Sequence, residues 1–307
     1  MSTSPAQPNQ TTWWPSRYGP NDQAGSLNEI RAANVVRAAQ LVRHGRIYDL
    51  SHELHEAIPA FPGRSFRQHL TTSAHQLNLR RPDAGETGWG ANNVNWIVEQ
   101  VSSTSQMGTH IDSLNHLQIG DRAYNGHRLA DIVEEHGTNR LGIEQLPQVV
   151  TRGLLFDIAK LRPSGRLGSG EVITPADAVA AAKALGVEVE PGNGVFFHTG
   201  WGERWDEPER YLDGEPGPGT ALAQWLVDKR VSLTGCDTWS FGPVPAEDPS
   251  EPFFVPQTLN VKHGVVIVEN LRLCELAADG VGEFMLVVSH ANLRGATGAW
   301  VAPVAIV

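Results

Sequence analysis

The sequence predicts an α/β fold: a central mixed β-sheet or barrel-like core flanked by helices. Three observations lead there. The runs GLLFDI (153–158) and GVFFH (194–198) are short and almost continuously apolar, as strands covered on both faces must be. Between them a helix is marked at both ends, with Thr174 as N-cap, Pro175 in the first turn and Gly186 at the stop. Strand and helix signals then alternate to the C-terminus, the pattern of a sheet with helical connections.

In chain order, residues 1–12 (MSTSPAQPNQTT) read as a disordered lead-in and 13–307 as one domain. The stretch 13–25, rich in aromatic, Gly and Pro residues, is expected to be an ordered loop. Ser26 and Glu29 have capping-box spacing and open a helix toward His44, with Gly45 as its C′ residue. A strand over 46–50 leads into a loop with two prolines (51–63) that carries His52 and His55, both read as surface histidines. Residues 64–93 are polar and Gly-rich and form either a lid or a surface excursion. Strand character returns at 95–102. A short helix is expected over 129–135 and a longer one over 220–229. Strands over 231–234, 265–269, 284–289 and 300–307 complete the chain.

Composition excludes several classes of function. With 307 residues, 40% hydrophobic and 19% charged, the chain can bury a sizeable core. Its net charge is −10 and it has no Lys/Arg run, so it lacks the basic patch that a nucleic-acid phosphate backbone requires. No apolar stretch approaches the roughly 20 residues of a membrane span. The first residues lack the basic and apolar regions of a secretory signal. Two cysteines, Cys236 and Cys274, give neither a disulfide framework nor a Cys-x-x-Cys metal site, and both are expected as small buried hydrophobes. Together these point to a cytoplasmic protein whose partner is a small molecule. Gly-x-Ser-x-Gly is absent, against an α/β-hydrolase serine, and GPG (217–219) lacks the third glycine and lysine of a phosphate loop.

The chemistry concentrates in QMGTHIDSLNH (106–116). Read as a strand, Gln106, Gly108, His110 and Asp112 share one face because alternate side chains point the same way. If the chain turns helical after Asp112, His116 lies over that face one turn on. Neutral imidazole with carboxylate is a donor set for Zn²⁺, Mn²⁺ or Fe²⁺, and Gly108 leaves space on the same face. The alternative is a set of polar residues in a buried turn, with His110 bonded to the backbone. Glu269 ends the apolar run VVIVE, either as a partner in a site or as a solvated strand end. His198, in FFHTGW, ends another strand and either faces the site or is a satisfied core histidine.

GTHIDSLNH resembles the signature His-x-Gly-Thr-His-x-Asp-x-Pro-x-His of the cyclase-like metal-dependent hydrolases, which include bacterial kynurenine formamidase and isatin hydrolase. Gly108, Thr109, His110, Asp112 and His116 match it. Gln106 stands at the first histidine, and Leu114-Asn115 replace Pro-x. WPSRYGPNDQAGSLN (14–28), YNG (124–126), HTGW (198–201), VIVENLRL (266–273) and GATG (295–298) are similar to blocks of the longer members. The resemblance implies a swivelling β/α fold and a metal-dependent hydrolase of a small amide, N-formyl or cyclic amide substrate. In dinuclear members a histidine twelve residues before the glutamate serves a second ion, and here that position is Gln257. An amide oxygen is a weaker ligand than imidazole, so one divalent ion, Mn²⁺ or Zn²⁺, is expected. His110 and Asp112 would anchor it, with Gln106 as third ligand or orienting partner. Glu269 would join His116 in the catalytic step, acting on substrate or water, with Gln257 on the substrate. His116 would be general base and then acid, since an ordinary imidazole pKa of about 6.5 suits both tasks. His198, Trp89 and Trp201 are assigned to the substrate pocket, although Trp13, Trp14, Trp89, Trp96 and Trp201 would serve equally in the core. A homodimer or homotetramer is expected by the same resemblance. Two rivals stand beside the hydrolase: a metal-assisted cyclase or dehydratase, and a non-catalytic binder that lost its metal through the two glutamines.

Overall fold

The computed structural model describes residues 12–73, 91–92 and 94–307. Trp89, most of the 64–93 segment and all but the last residue of the 1–12 lead-in fall outside these. Eleven strands carry the argument. They are β1 (Ile47–Asp49), β2 (Phe66–Thr72), β3 (Val98–Ser103), β4 (His110–Asp112), β5 (Val149–Asp157), β6 (Gly194–His198), β7 (Leu233–Cys236), β8 (Val266–Glu269), β9 (Glu283–Val288), β10 (Gly298–Trp300) and β11 (Val304–Ile306). Nine of them form one mixed sheet, curled like half a barrel, in the order β1-β11-β9-β5-β6-β7-β8-β4-β10. Strands β5 to β8 are parallel neighbours, and every other pairing is antiparallel. The pair β2–β3 forms a separate antiparallel hairpin.

The apolar runs explain the layers. Along β5 and β6, Leu155 and Phe196 face one buried cluster, while Leu154, Phe156, Val195 and Phe197 face another. Both sides of the parallel strands are therefore covered, as their composition requires. Helices α2 (Pro175–Leu185) and α3 (Thr220–Asp228) close the second side through Ala178, Ala181, Leu222 and Leu226. The sequence signals for α2 are realised: Thr174 caps Asp177 N at 3.3 Å, Asp177 returns a bond to Thr174 N at 2.8 Å, and Gly186 is left-handed. A smaller cluster of Ile58, Phe66, Met107, Trp201, Trp205 and Tyr211 packs beside Trp239 and Trp300.

Several local expectations yield to tertiary contacts. Ser26 and Glu29 do not cap a helix. Gly25–Glu29 is a 3₁₀ turn, the Ser26 hydroxyl donates to Ser232 O, and Glu29 receives a forked pair from Arg230 at 2.9 and 2.7 Å. The helix α1 (Ala32–Ala39) starts later, where Arg31 N donates to the Asn34 side chain at 3.0 Å, and it ends well before Gly45. The segment 129–135 divides into a single turn, Leu129–Ile132, and an extended pair with Gly137–Thr138. Cys236 is buried, but Cys274 is exposed. His52 is half-buried and stacks on Trp205 with ring centroids 4.0 Å apart, so it is not a free surface histidine, whereas His55 is exposed. Burial and the charge of Arg272 push the His52 pKa down to about 4. Among the described residues no helix is long and apolar enough to cross a membrane.

The C-terminal ends of β5 and β6 are tied together by side chains. His198 Nδ1 meets Asp157 Oδ1 at 2.8 Å, and its Nε2 lies 3.9 Å from Asp237 Oδ2. Burial alone would lower the His198 pKa, but the Asp157 bond and the charges of Asp237, Asp157 and Glu203 outweigh it and hold it above 6.5. Burial opposes ionisation of Asp157, yet the His198 bond and charge bring it below 3.8. The pair's contribution is thus full between the two ordinary values. It fades as pH rises through the raised His198 pKa, and again as pH falls through the lowered Asp157 pKa. Asp157→Asn is expected to cost about 1–3 kcal/mol near pH 5.5 and clearly less above the raised His198 pKa, as read from urea unfolding at both pH values.

Candidate metal centre

The pairing of β8 with β4 builds the centre. In that antiparallel register Glu269 is directly opposite His110, and Val268 opposite Ile111. Directly opposed residues project from the same side of a sheet. Ile111 and Val268 enter the core, so His110 and Glu269 share the other face, and Asp112 joins them two residues along β4. His110 Nε2 lies 3.3 Å from Glu269 Oε2 and 3.7 Å from Asp112 Oδ1. One donor atom from each of the three lies within 4.8 Å of the others, and all three residues are buried.

The backbone orients these groups. His110 Nδ1 is 2.8 Å from Gly108 O, so Nδ1 carries a proton and Nε2 is the atom that faces the carboxylates. Gly108 O also accepts from Asn270 Nδ2 at 2.9 Å. Asn270, left-handed at φ 54°, accepts from Tyr211 OH at 2.7 Å, and its carbonyl accepts from Thr109 Oγ1 at 2.6 Å. Asn270 thus braces both residues before His110, Gly108 through its side-chain amide and Thr109 through its backbone carbonyl. Gly108 serves packing rather than access, because a Cβ there would lie 2.2 Å from Leu54 Cδ2.

The electrostatics of the cluster call for a cation. Two carboxylates and an imidazole are removed from water, and His110 Nε2 and Asp112 Oδ1 have no hydrogen-bond partner among the described residues. Burial and the Asp112 charge push the Glu269 carboxyl up, against the opposing pull of His110 and His116. Burial disfavours charge on His110, but Glu269 and Asp112 hold its proton more strongly, and its pKa rises. Buried charges persist when paired or bound to metal, and an imidazole nitrogen with two carboxylates is the donor chemistry of a divalent first-row ion. The residues fit such an ion.

The centre opens into a cavity of about 300 Å³. Gln106, Asp112, His116 and Glu269 line it, together with Phe61, Arg64, Leu117, Trp239, Ser240, Phe253 and Pro256. His116 arrives through a turn, not a helix: its N–H donates to Ser113 O at 3.2 Å, and Nε2 stands 3.9 Å from Asp112 Oδ2. Gln106 also lies outside any strand, because β4 begins only at His110, and its amide nitrogen donates to Thr297 Oγ1 at 3.0 Å. Glu269 joins His110 and Asp112 in the donor group, and Gln106 lines the same cavity beside Asp112 and Glu269.

Other expected site residues lie elsewhere. Gln257 donates to Gln118 O at 2.8 Å and lines a separate groove with Trp13 and Lys262. His198 is held between Asp157 and Asp237 at the strand ends and does not line the cavity. Trp201 is 1% exposed and donates to Tyr211 O at 2.9 Å, a core role. Trp89 lies outside the described residues. The sequence reading missed the cavity's aromatic wall. Phe61 meets Trp239 edge-on at 4.6 Å, and Trp239 meets Phe253 at 6.1 Å. Buried Glu215 fixes that wall by accepting from Trp239 N at 2.6 Å and from the Ser240 hydroxyl. Trp239 follows the carboxyl end of a parallel strand, where ligand-binding residues of open α/β sheets gather, and that signal was available.

The family model described as "Putative cyclase" matches residues 48–243, well over half of the chain. No curated protein matches. A solved structure described as a novel cyclase superposes with a TM-score of 0.84 at 27% identity, covering 95% of this chain and 96% of that one. Isatin hydrolase A from Labrenzia aggregata, bound to benzyl benzoate, gives 0.61 at 18% identity over 87% and 94%. Isatin hydrolase A from Ralstonia solanacearum gives 0.61 at 17% over 89% and 94%. These last two likenesses are of fold. With the family's model spanning the strand that carries His110 and Asp112, the chain belongs to the putative cyclases, the cyclase-like metal-dependent hydrolase family that its motifs resemble.

Proposed function

We propose that this protein is a metal-dependent hydrolase of small amides, of the N-formyl or cyclic kind. One observation carries the reading. His110, Asp112 and Glu269 converge at the floor of a cavity, with Nε2 and Oδ1 buried and unpartnered. His110, Asp112 and Glu269 would hold a divalent ion, which would supply Lewis-acid polarisation of the carbonyl and activation of water. The isatin hydrolases of similar fold act on a cyclic amide by their name, which supports the substrate class.

The chain's own residues supply the rest. His110 is oriented by the contact of its Nδ1 with Gly108 O, so its Nε2 is directed at Asp112 and Glu269. His116 borders the cavity with a quarter of its side chain exposed, and its Nε2 stands 3.9 Å from Asp112 Oδ2. In the proposed reaction it takes a proton at Nε2 from the water that attacks the carbonyl carbon, then delivers it to the departing nitrogen. Phe61 and Trp239, packed edge-on, form an apolar wall against which a substrate ring would lie. Gln106, fixed by Thr297, orients the carbonyl group beside the donor cluster.

The family's description as cyclases favours a second reading, ring closure or dehydration in the same cavity. The deciding experiment loads the protein with Mn²⁺ or Zn²⁺, measures metal per chain by plasma mass spectrometry, and assays N-formyl and cyclic amides in ¹⁸O-water. About one ion per chain and ¹⁸O in the carboxylate product are expected. Turnover without label would establish the cyclase or dehydratase, and absence of metal after reconstitution would sink both. His116→Ala should lower kcat by about 10²–10⁴-fold while metal content stays at the wild-type value. Loss of metal in that variant would make His116 a ligand instead. Asn270→Gly preserves the left-handed backbone and removes the amide brace. Weakening of metal affinity by about 10–100-fold is expected in a competitive chelator titration, and wild-type affinity would show that the brace does not matter.

A further inference from the structure

The rim of the cavity carries a charge that the floor does not explain. Phe61, Pro62, Gly63 and Arg64 form a tight turn in which Arg64 N donates to Phe61 O at 3.0 Å. Proline second and glycine third, with Gly63 at φ 88°, is the type II arrangement, and glycine is the residue that tolerates that φ. Such a turn brings its first and fourth residues together, here an aromatic ring and a guanidinium. The Arg64 guanidinium carbon lies 5.8 Å from the Phe61 ring centroid, and both side chains line the cavity.

Arg64 is held in place without being neutralised. Its Nη1 donates to Gln106 O at 2.9 Å, which ties it to the segment leading into the donor strand. Among the described residues no Asp or Glu forms an ion pair with it. Asp112 and Glu269 make the floor acidic, and Arg64 is the single Lys or Arg among the described lining residues. The whole chain carries a net charge of −10. An anionic ligand is therefore repelled by the protein at large and attracted at one point of the rim. A guanidinium presents a planar fork of donors that matches a carboxylate.

We propose that Arg64 reads a carboxylate on the substrate, so that the cavity selects an aromatic amide bearing an anionic group at the end remote from the scissile bond. The amide carbonyl then lies on the donor cluster, the ring packs against the wall that Phe61 and Trp239 form together, and the anion reaches Arg64. A cavity of about 300 Å³ holds one ring with short substituents, which fits that division. This selectivity rests on the amide-hydrolase reading of the same site.

The test compares 4-formamidobenzoate with formanilide, its neutral counterpart, on metal-loaded protein. Wild type should prefer the carboxylate-bearing substrate in kcat/KM, and added NaCl should shrink the preference because the rim is exposed to solvent. Arg64→Met should lower the ratio of the two kcat/KM values at least tenfold, chiefly through KM, and Arg64→Lys should restore part of it. A merely structural role for the Arg64 bond to Gln106 would slow both substrates alike and leave the ratio unchanged, which overturns the proposal. If wild type hydrolyses neither, the hydrolase reading fails by itself. Calorimetric titration with 4-acetamidobenzoate and acetanilide then reads the rim directly. Preference for the acid that vanishes in Arg64→Met sustains the anion site, and equal or absent binding of the two removes it.

Discussion

The antiparallel pairing of β8 with β4 is the constraint on which the site depends. It is a short contact, with Val268 opposite Ile111 and Glu269 opposite His110. Its register is fixed by hydrophobic burial, because Ile111 and Val268 are both fully buried and both belong to the same core cluster. A slip of one residue would send those side chains to the polar face and carry His110 and Glu269 into the core. The energy that sets the geometry of the donor cluster therefore comes from apolar neighbours. The polar groups are carried into an otherwise unfavourable cluster by the sheet around them.

Such a cluster is costly to assemble, and its surroundings show how the cost is limited. Asn270 satisfies Gly108 O and Tyr211 OH, while Thr109 binds the Asn270 carbonyl. These bonds leave Nε2 of His110 and Oδ1 of Asp112 as the atoms without partners. A buried centre whose converging donor atoms lack hydrogen-bond partners is suited to a cation. The aromatic wall is organised differently, by edge-on ring contacts and by a buried carboxyl, Glu215, that burial pushes well above the usual carboxylate range. The two halves of the cavity are thus held by different forces, hydrogen bonds around the donor cluster on one side and ring packing on the other.

The parallel strands contribute position more than chemistry. Their carboxyl ends place Asp157, His198 and the segment from Asp237 to Ser240 along one edge. Only the last of these reaches the cavity, because β7 adjoins β8 while β5 and β6 lie farther along the sheet. His198 is occupied instead with joining β5 to β6. A strand-terminal histidine in a family block is therefore no guide to the site unless the strand order is known.

What the sequence determined by itself was the local chemistry and the class of fold. Apolar runs of strand length, the Thr174 cap and the Gly186 stop are short-range signals, and the structure realises them. His110 and Asp112 share a face because alternation is a property of one strand, so that pair was legible. Glu269 was marked as a site residue, but its place directly opposite His110 was not legible, since it lies far along the chain and meets His110 only through strand pairing. The positions of Gln106 and His116 depend on turns on either side of β4, and neither the strand nor the helix extrapolation describes them. Ser26 and Glu29 had the spacing of a capping box, but Ser232 and Arg230 compete for them from the other half of the chain. Periodicity and capping report forces within a few residues. Register, strand order and burial of side chains are set by the whole core, and these decided which polar residues became a site.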